Sequence, residues 1–175
     1  MIVVDVETGG LNPKEHPLLS VGAVDFFNPT NTFYGKCRSI GKTSTDEALK
    51  INGIDIIKWN SNMHPATMIS EFLVWLNQTK DKTILAGHNP RFDLDFLYQT
   101  AKENKMILPF SYRTVDLHSV AYAIFTREGI KFDKLTADNI YKLLGMQEEK
   151  KPHNALIGAQ MECMALRKLL SDERI

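Results

Sequence analysis

An α/β domain with a mixed central sheet is what this sequence predicts, and three observations carry that expectation. Apolar and β-branched runs separated by turn signals occupy its opening stretch. Amphipathic helical spacing then takes over. A short strand-like run interrupts the helical stretches that follow, the alternation expected of helices packed on a sheet.

Ile2 to Val6 is a short β-branched run closed by Thr8-Gly9-Gly10. Leu18 to Phe27 is a second apolar stretch, bounded by Pro17 and by Asn28-Pro29, and Asn31 to Arg38 reads as a third strand. The turns between them suggest a meander. Ser44-Thr45-Asp46-Glu47 matches a capping box, with Gly53 as a helix stop. Met68, Phe72, Trp75 and Leu76 recur at helical spacing and predict an amphipathic helix from Pro65 to Asn77. Thr83 to Ala86 is a short strand. Asn89-Pro90 then reads as an N-cap with proline at the first helical position, opening a helix to about Asn104. Further helices are expected over Leu117–Phe125, over Thr136–Leu144 with Gly145 as its stop, and over Asn154–Leu170. There is no internal repeat. The 175 residues fit one domain spanning 1–175.

Lys plus Arg equals Asp plus Glu at 21 each, so the chain lacks the basic excess of a broad duplex-DNA binder, whose domain pI is usually about 9 or above. Any nucleic-acid contact must therefore be local. Cys37 and Cys163 stand alone, which points to two reduced core thiols rather than a disulfide or a zinc site. The opening residues carry no basic leader, and no run approaches the roughly 18 apolar residues of a membrane span. A cytoplasmic protein without membrane contact is expected.

Three segments hold candidate chemistry. Asp5 and Glu7, two apart at a strand end, point to the same face, where two carboxylates repel unless a cation lies between them. A pair of solvated acids at a fraying strand end is the alternative. Asp93 falls in the first turn of the helix after Asn89, where the helix dipole alone would favour an acid. That helix start also lies at a sheet edge of the kind that holds ligands in α/β proteins. Phe92 and Phe96 read as core residues. The third segment, Lys150-Lys151-Pro152-His153-Asn154, puts a histidine ahead of a helix, a place equally suited to a surface or capping residue.

Taken together, these segments resemble the DEDD-type 3′→5′ exonucleases. Asp5-Val-Glu7-Thr8-Gly9-Gly10-Leu11 is similar to the first signature, DxET-x-G-L. His88-Asn89-Pro90-Arg91-Phe92-Asp93-Leu94-Asp95-Phe96-Leu97 is similar to the second, HN-x-x-FD-x-x-FL. His153-Asn-Ala-Leu-Ile-Gly158-Ala159 resembles the third, H-x-A-x-x-DA, of the histidine-bearing branch. Asp46 to Ile54 and Thr114 to Leu117 carry weaker likenesses to the EAL-x-x-x-GI and VDTL stretches. The motifs run in order along nearly the whole chain.

The resemblance implies a ribonuclease H-like fold, a five-stranded mixed sheet flanked by helices. It implies two divalent metal ions, Mg²⁺ or Mn²⁺, held by Asp5, Glu7 and Asp93, with His153 as general base. Thr8, Leu11, Asn89 and Phe92 would bind the terminal nucleotide. Single-stranded DNA or RNA 3′ ends would be the substrate, with a DNA polymerase as a conceivable partner. One position departs from the pattern. Gly158 stands where the family has its fourth carboxylate, and glycine supplies no ligand. Three readings follow: an inactivating change, a naturally degenerate relative, or an active enzyme with Glu162, one helical turn on, as substitute ligand. A non-catalytic module keeping the fold, and an endonuclease on the same fold, are the rival functions.

Overall fold

The computed structural model describes residues 1–55, 59, 63–148 and 152–171. Among the described residues, five strands and six helices form an α/β sandwich. They are β1 (Ile2–Thr8), β2 (Leu18–Asp25), β3 (Asn28–Lys36), α1 (Asp46–Asn52), α2 (Pro65–Leu76), β4 (Leu85–Gly87), α3 (Pro90–Glu103), β5 (Thr114–Asp116), α4 (Leu117–Arg127), α5 (Ala137–Leu143) and α6 (Ala155–Leu170). The sheet runs β3-β2-β1-β4-β5. The first three strands form the expected antiparallel meander, and β4 and β5 add in parallel. This is the five-stranded mixed sheet that the resemblance implied.

Strand alternation divides the core. Ile2, Val4 and Val6 of β1 pack with Phe72 of α2 and with Leu94 and Leu97 of α3. Val3 faces the other way, into a second cluster with Leu117 and Phe125 of α4, Ile140 of α5 and Cys163 and Leu166 of α6. Both cysteines are free and buried, as expected. Burial pushes the Cys37 thiol up to about 12 and the Cys163 thiol up to about 11. No helix among the described residues is long and apolar enough to cross a membrane.

Helix α6 positions the site, because it approaches the sheet unusually closely. A Cβ on Gly22 of β2 would lie 2.1 Å from the Ala155 carbonyl carbon and oxygen and 2.2 Å from the Leu156 nitrogen. Only a residue without a side chain admits the first turn of α6 here, since backbone cannot swing aside as a side chain can. Gly22→Ala is therefore expected to cost about 2–4 kcal/mol, by analogy with overpacked cores, as α6 is forced outward. Chemical denaturation would check this; a midpoint like that of the unchanged chain would contradict it.

Several boundaries differ from the sequence expectation. β3 begins at Asn28 rather than Asn31, because β2 already ends at Asp25, whose Oδ1 accepts the Phe27 N–H and tightens the turn. The first helix is capped by Thr45, whose side chain accepts from the Ala48 N–H, so the Ser44-based box is displaced by one residue. Gly53 does close that helix, in the left-handed conformation at φ 66°. The α3 cap also differs. Asn89 precedes Pro90 as expected, but it is left-handed at φ 56° and its side chain makes no capping bond. β5, three residues long, had no periodicity by which to be recognised.

Candidate active site

The two acids of β1 are set by strand alternation. Val3 points into the α6-side core, so Asp5 and Glu7 continue that face past the end of the apolar run. Asp5 is half-buried and Glu7 only 5% exposed. The β1–β2 register jumps from Glu7↔Ser20 to Thr8↔Leu18, a bulge of the kind that re-aims side chains at strand ends.

Asp93 reaches this strand end through a vacated ladder position. Even-numbered β1 residues direct their N–H groups toward β4, as the bond from the Ile2 N–H to the Ile84 carbonyl shows. β4 stops at Gly87, and the Val6 N–H beyond it is accepted instead by Asp93 Oδ1 at 3.0 Å. The acid in the first turn of α3 is thereby tied to the residue between Asp5 and Glu7. Asp93 is 4% exposed. Burial pushes its carboxyl up to about 8, against hydrogen bonds from its own backbone N–H and from Val6 that favour the carboxylate.

This sets a pH signature. A carboxyl raised in the fold makes its full contribution below the unfolded value near 4, and loses it as pH climbs toward 8. In chelator-treated protein, Asp93→Asn should raise the melting temperature, with a gap to the unchanged chain that widens between pH 5 and pH 8. A constant gap would show that Asp93 does not titrate in this window.

Gly158 lies directly over Asp5. A Cβ at 158 would stand 2.1 Å from Asp5 Oδ2 and 2.9 Å from Asp5 Cγ, so the Asp5 carboxyl occupies the space a side chain would need. Glu162 lies one turn along and is 6% exposed. Its Oε2 lies 2.9 Å from where a Cβ on Gly87 would be, at the end of β4. Among the described residues, no group of three or more His, Cys, Asp or Glu is placed to hold a metal ion. The donor chemistry nonetheless fits a hard divalent cation, which prefers anionic oxygens and would relieve the cost of the buried Asp93 carboxyl.

His153 precedes α6, with Asn154 as the N-cap whose side chain accepts from the Leu156 and Ile157 N–H groups. It is half-buried, beside exposed Pro152 and outside the core. Lys150 and Lys151 lie outside the described residues. The His153 N–H donates to the Asn52 carbonyl at 3.1 Å, and the Asn52 side chain donates to the Thr8 carbonyl at 3.1 Å. The end of α1 thus joins the histidine segment to the loop after β1. On that loop Thr8 is buried, its hydroxyl donating to the Gly10 carbonyl at 2.8 Å, while Leu11 is 83% exposed.

Asn89 is exposed, and its N–H donates to Asp116 Oδ1 at 3.1 Å. Phe92 is half-buried, 5.0 Å from Phe96 ring to ring, and packs on the core as expected. Asp116, Asn52 and Tyr34 were not singled out from the sequence. Asp116 caps α4 while holding the start of α3. Partial burial pushes its carboxyl up, but hydrogen bonds from Ser119, Asn89 and His118 outweigh that and hold it below the ordinary range. Tyr34 accepts from the Asn154 side chain at 3.2 Å, and burial together with the nearby Glu7 charge raises its phenol.

The β1 carboxylate pair thus has an α3 acid tied to the same strand, and a histidine precedes the helix that packs against that strand. The exonuclease family of ribonuclease T type matches residues 2–165, and the chain belongs to it. It is 26% identical over 127 residues to the 3′-5′ DNA exonuclease Cap18 of Escherichia coli, covering 70% of this chain and 68% of that protein. The structure of E. coli exonuclease I with a 5cy-dT13 oligonucleotide matches with a TM-score of 0.78 at 19% identity, over 97% of this chain. A zinc-ion-bound form of the E. coli enzyme with single-stranded DNA gives 0.79 at 19% identity over 97% of this chain, and exonuclease I from Methylocaldum szegediense gives 0.76 at 19% over 97%. The ribonuclease H-like fold is shared with these proteins. The chain spans about 40% of the length of the E. coli exonuclease I chains and 39% of the Methylocaldum one.

Proposed function

We propose that this chain is a divalent-metal-dependent 3′→5′ exonuclease of single-stranded DNA, weakened by Gly158. The bond between Asp93 Oδ1 and the Val6 N–H carries this reading, because it ties the acid of the second motif between the two acids of the first. DNA rather than RNA is favoured because the similar curated protein is named a DNA exonuclease and the similar structures hold DNA oligonucleotides.

Asp5, Glu7 and Asp93 would hold the metal, and bound divalent ions would stabilise the attacking and leaving oxygens of an in-line phosphoryl displacement. His153 accepts the proton of the attacking water, a task suited to an imidazole. The bond between phosphorus and the 3′ oxygen of the penultimate nucleotide breaks, releasing a nucleoside 5′-monophosphate. The Thr8 backbone and the exposed Leu11 side chain grip the terminal nucleotide, with Asn89 and Phe92 beside it. A pocket that takes only a chain end needs few backbone cations, in keeping with zero net charge.

Gly158 favours a second reading, a strand-binding module without catalysis. Incubating 5′-labelled single-stranded DNA and RNA with Mg²⁺ or Mn²⁺ separates the two. A ladder shortening from the 3′ end, stronger on DNA, supports the exonuclease. Binding with no shortening under any metal condition supports the module.

A further inference from the structure

Leu11 is the most exposed hydrophobic residue near the candidate site at 83%, yet the loop that displays it, between β1 and β2, is fastened at several points. Within the loop, the Gly9 N–H donates to the Pro17 carbonyl at 2.8 Å and the Asn12 N–H to His16 Nδ1 at 3.0 Å. Two further ties come from the segment between β3 and α1. The Thr45 N–H donates to the Gly9 carbonyl at 2.7 Å, and Lys42 Nζ donates to the Pro13 carbonyl at 2.6 Å. A Cβ on Gly9 would meet Ser44 Oγ at 2.4 Å, so that segment also packs directly against the loop.

We infer that Lys42 is the positioning residue of the nucleotide-gripping loop, holding Leu11 in place through its contact with Pro13. The inference rests on the exonuclease reading above. Lys42 Nζ also pairs with Glu103 Oε1 at 2.7 Å, and the Lys42 side chain is only 13% exposed. Glu103 ends α3, the helix whose first turn carries Asp93. One cation therefore ties the Leu11 loop to the helix that supplies the third acid. The Lys42 ammonium is the sheltered end of the pair, the Glu103 side chain being 39% exposed, and a charge-assisted bond to a carbonyl is stronger than a neutral one. Lysine suits the place because its ammonium donates to both the carbonyl and the carboxylate. The arrangement also explains how an exposed leucine can act as a wedge. Its displayed position is set by the fastened backbone rather than by packing of its own side chain.

The test compares the unchanged chain with Lys42→Met and Lys42→Arg. Affinity for a fluorescent single-stranded oligo-dT is measured in Ca²⁺, the steady-state KM and kcat in Mn²⁺, and hydrogen exchange over residues 9–17 without nucleic acid. Lys42→Met should bind roughly five- to tenfold more weakly, the size expected for one lost charge-assisted bond. KM should rise by a similar factor while kcat changes less, and exchange should quicken in the loop. Lys42→Arg, which keeps the cation, should recover most of the affinity. If the unchanged chain binds the oligonucleotide and Lys42→Met binds it equally well, the role is overturned, whatever the exchange pattern. If the unchanged chain neither binds nor trims DNA while Lys42→Met still loosens the loop, the exonuclease reading has failed and the positioning role fails with it.

Discussion

Replacing Gly158 by aspartate should raise 3′→5′ trimming by on the order of 10²-fold, equivalent to a few kcal/mol of transition-state stabilisation. Two divalent ions beside a phosphodiester need several anionic oxygens close together, and water in place of the fourth carboxylate restores coordination number but not charge. The structure adds a steric reason. The Asp5 carboxyl now fills the space over residue 158, and a Cβ there would stand 2.1 Å from Asp5 Oδ2. A side chain at 158 must therefore turn Asp5 out of the notch as well as adding an oxygen. The two effects separate with Gly158→Ala, which displaces Asp5 without supplying a ligand. Its Mn²⁺ affinity, measured by calorimetry, should fall between those of the unchanged chain and of Gly158→Asp. Mn²⁺ should support the unchanged chain better than Mg²⁺, being more tolerant of an incomplete shell. Full speed in the unchanged chain, with nothing gained in Gly158→Asp, would refute this account and make Glu162→Gln the next variant to measure.

His153→Ala should lose about 10²- to 10⁴-fold in trimming rate, the usual worth of a positioned general base, while Mn²⁺ affinity stays near that of the unchanged chain. The difference follows from placement. His153 stands ahead of the α6 cap and is anchored through its backbone N–H to the Asn52 carbonyl, so removing the ring leaves that anchor intact. The experiment is best done in the Gly158→Asp background, where the rate is large enough to lose. Equal rates with and without the imidazole would remove His153 from the mechanism.

Much of this was legible in the sequence because it rests on local pattern. The β-branched run of β1, the spacing of Met68, Phe72, Trp75 and Leu76, and the motifs around Asp5, Asp93 and His153 are all short-range signals. What escaped is tertiary. The side chains of Asn52, Asp116 and Lys42 bond to backbone groups 27 to 44 residues away, and polar side chains at helix ends and in loops ordinarily read as solvated. The capping of α3 escaped for a related reason. An Asn-Pro pair suggests a side-chain cap, but here the Asn89 N–H is held by Asp116, and the residue adopts a left-handed conformation without using its amide as a cap. The Gly158 departure was plain from the motif, whereas the seating of Asp5 against it became apparent only when α6 was laid over β1.

The central claim is that this chain removes nucleotides from a 3′ end, and the most direct measurement is the first product released from a 3′-terminally labelled single-stranded DNA in Mn²⁺. The unchanged chain and Gly158→Asp should be assayed side by side. The account predicts labelled nucleoside 5′-monophosphate as the first product, slow from the unchanged chain and much faster from Gly158→Asp. Release of a longer labelled fragment, or strand binding without any release from either protein, would contradict it.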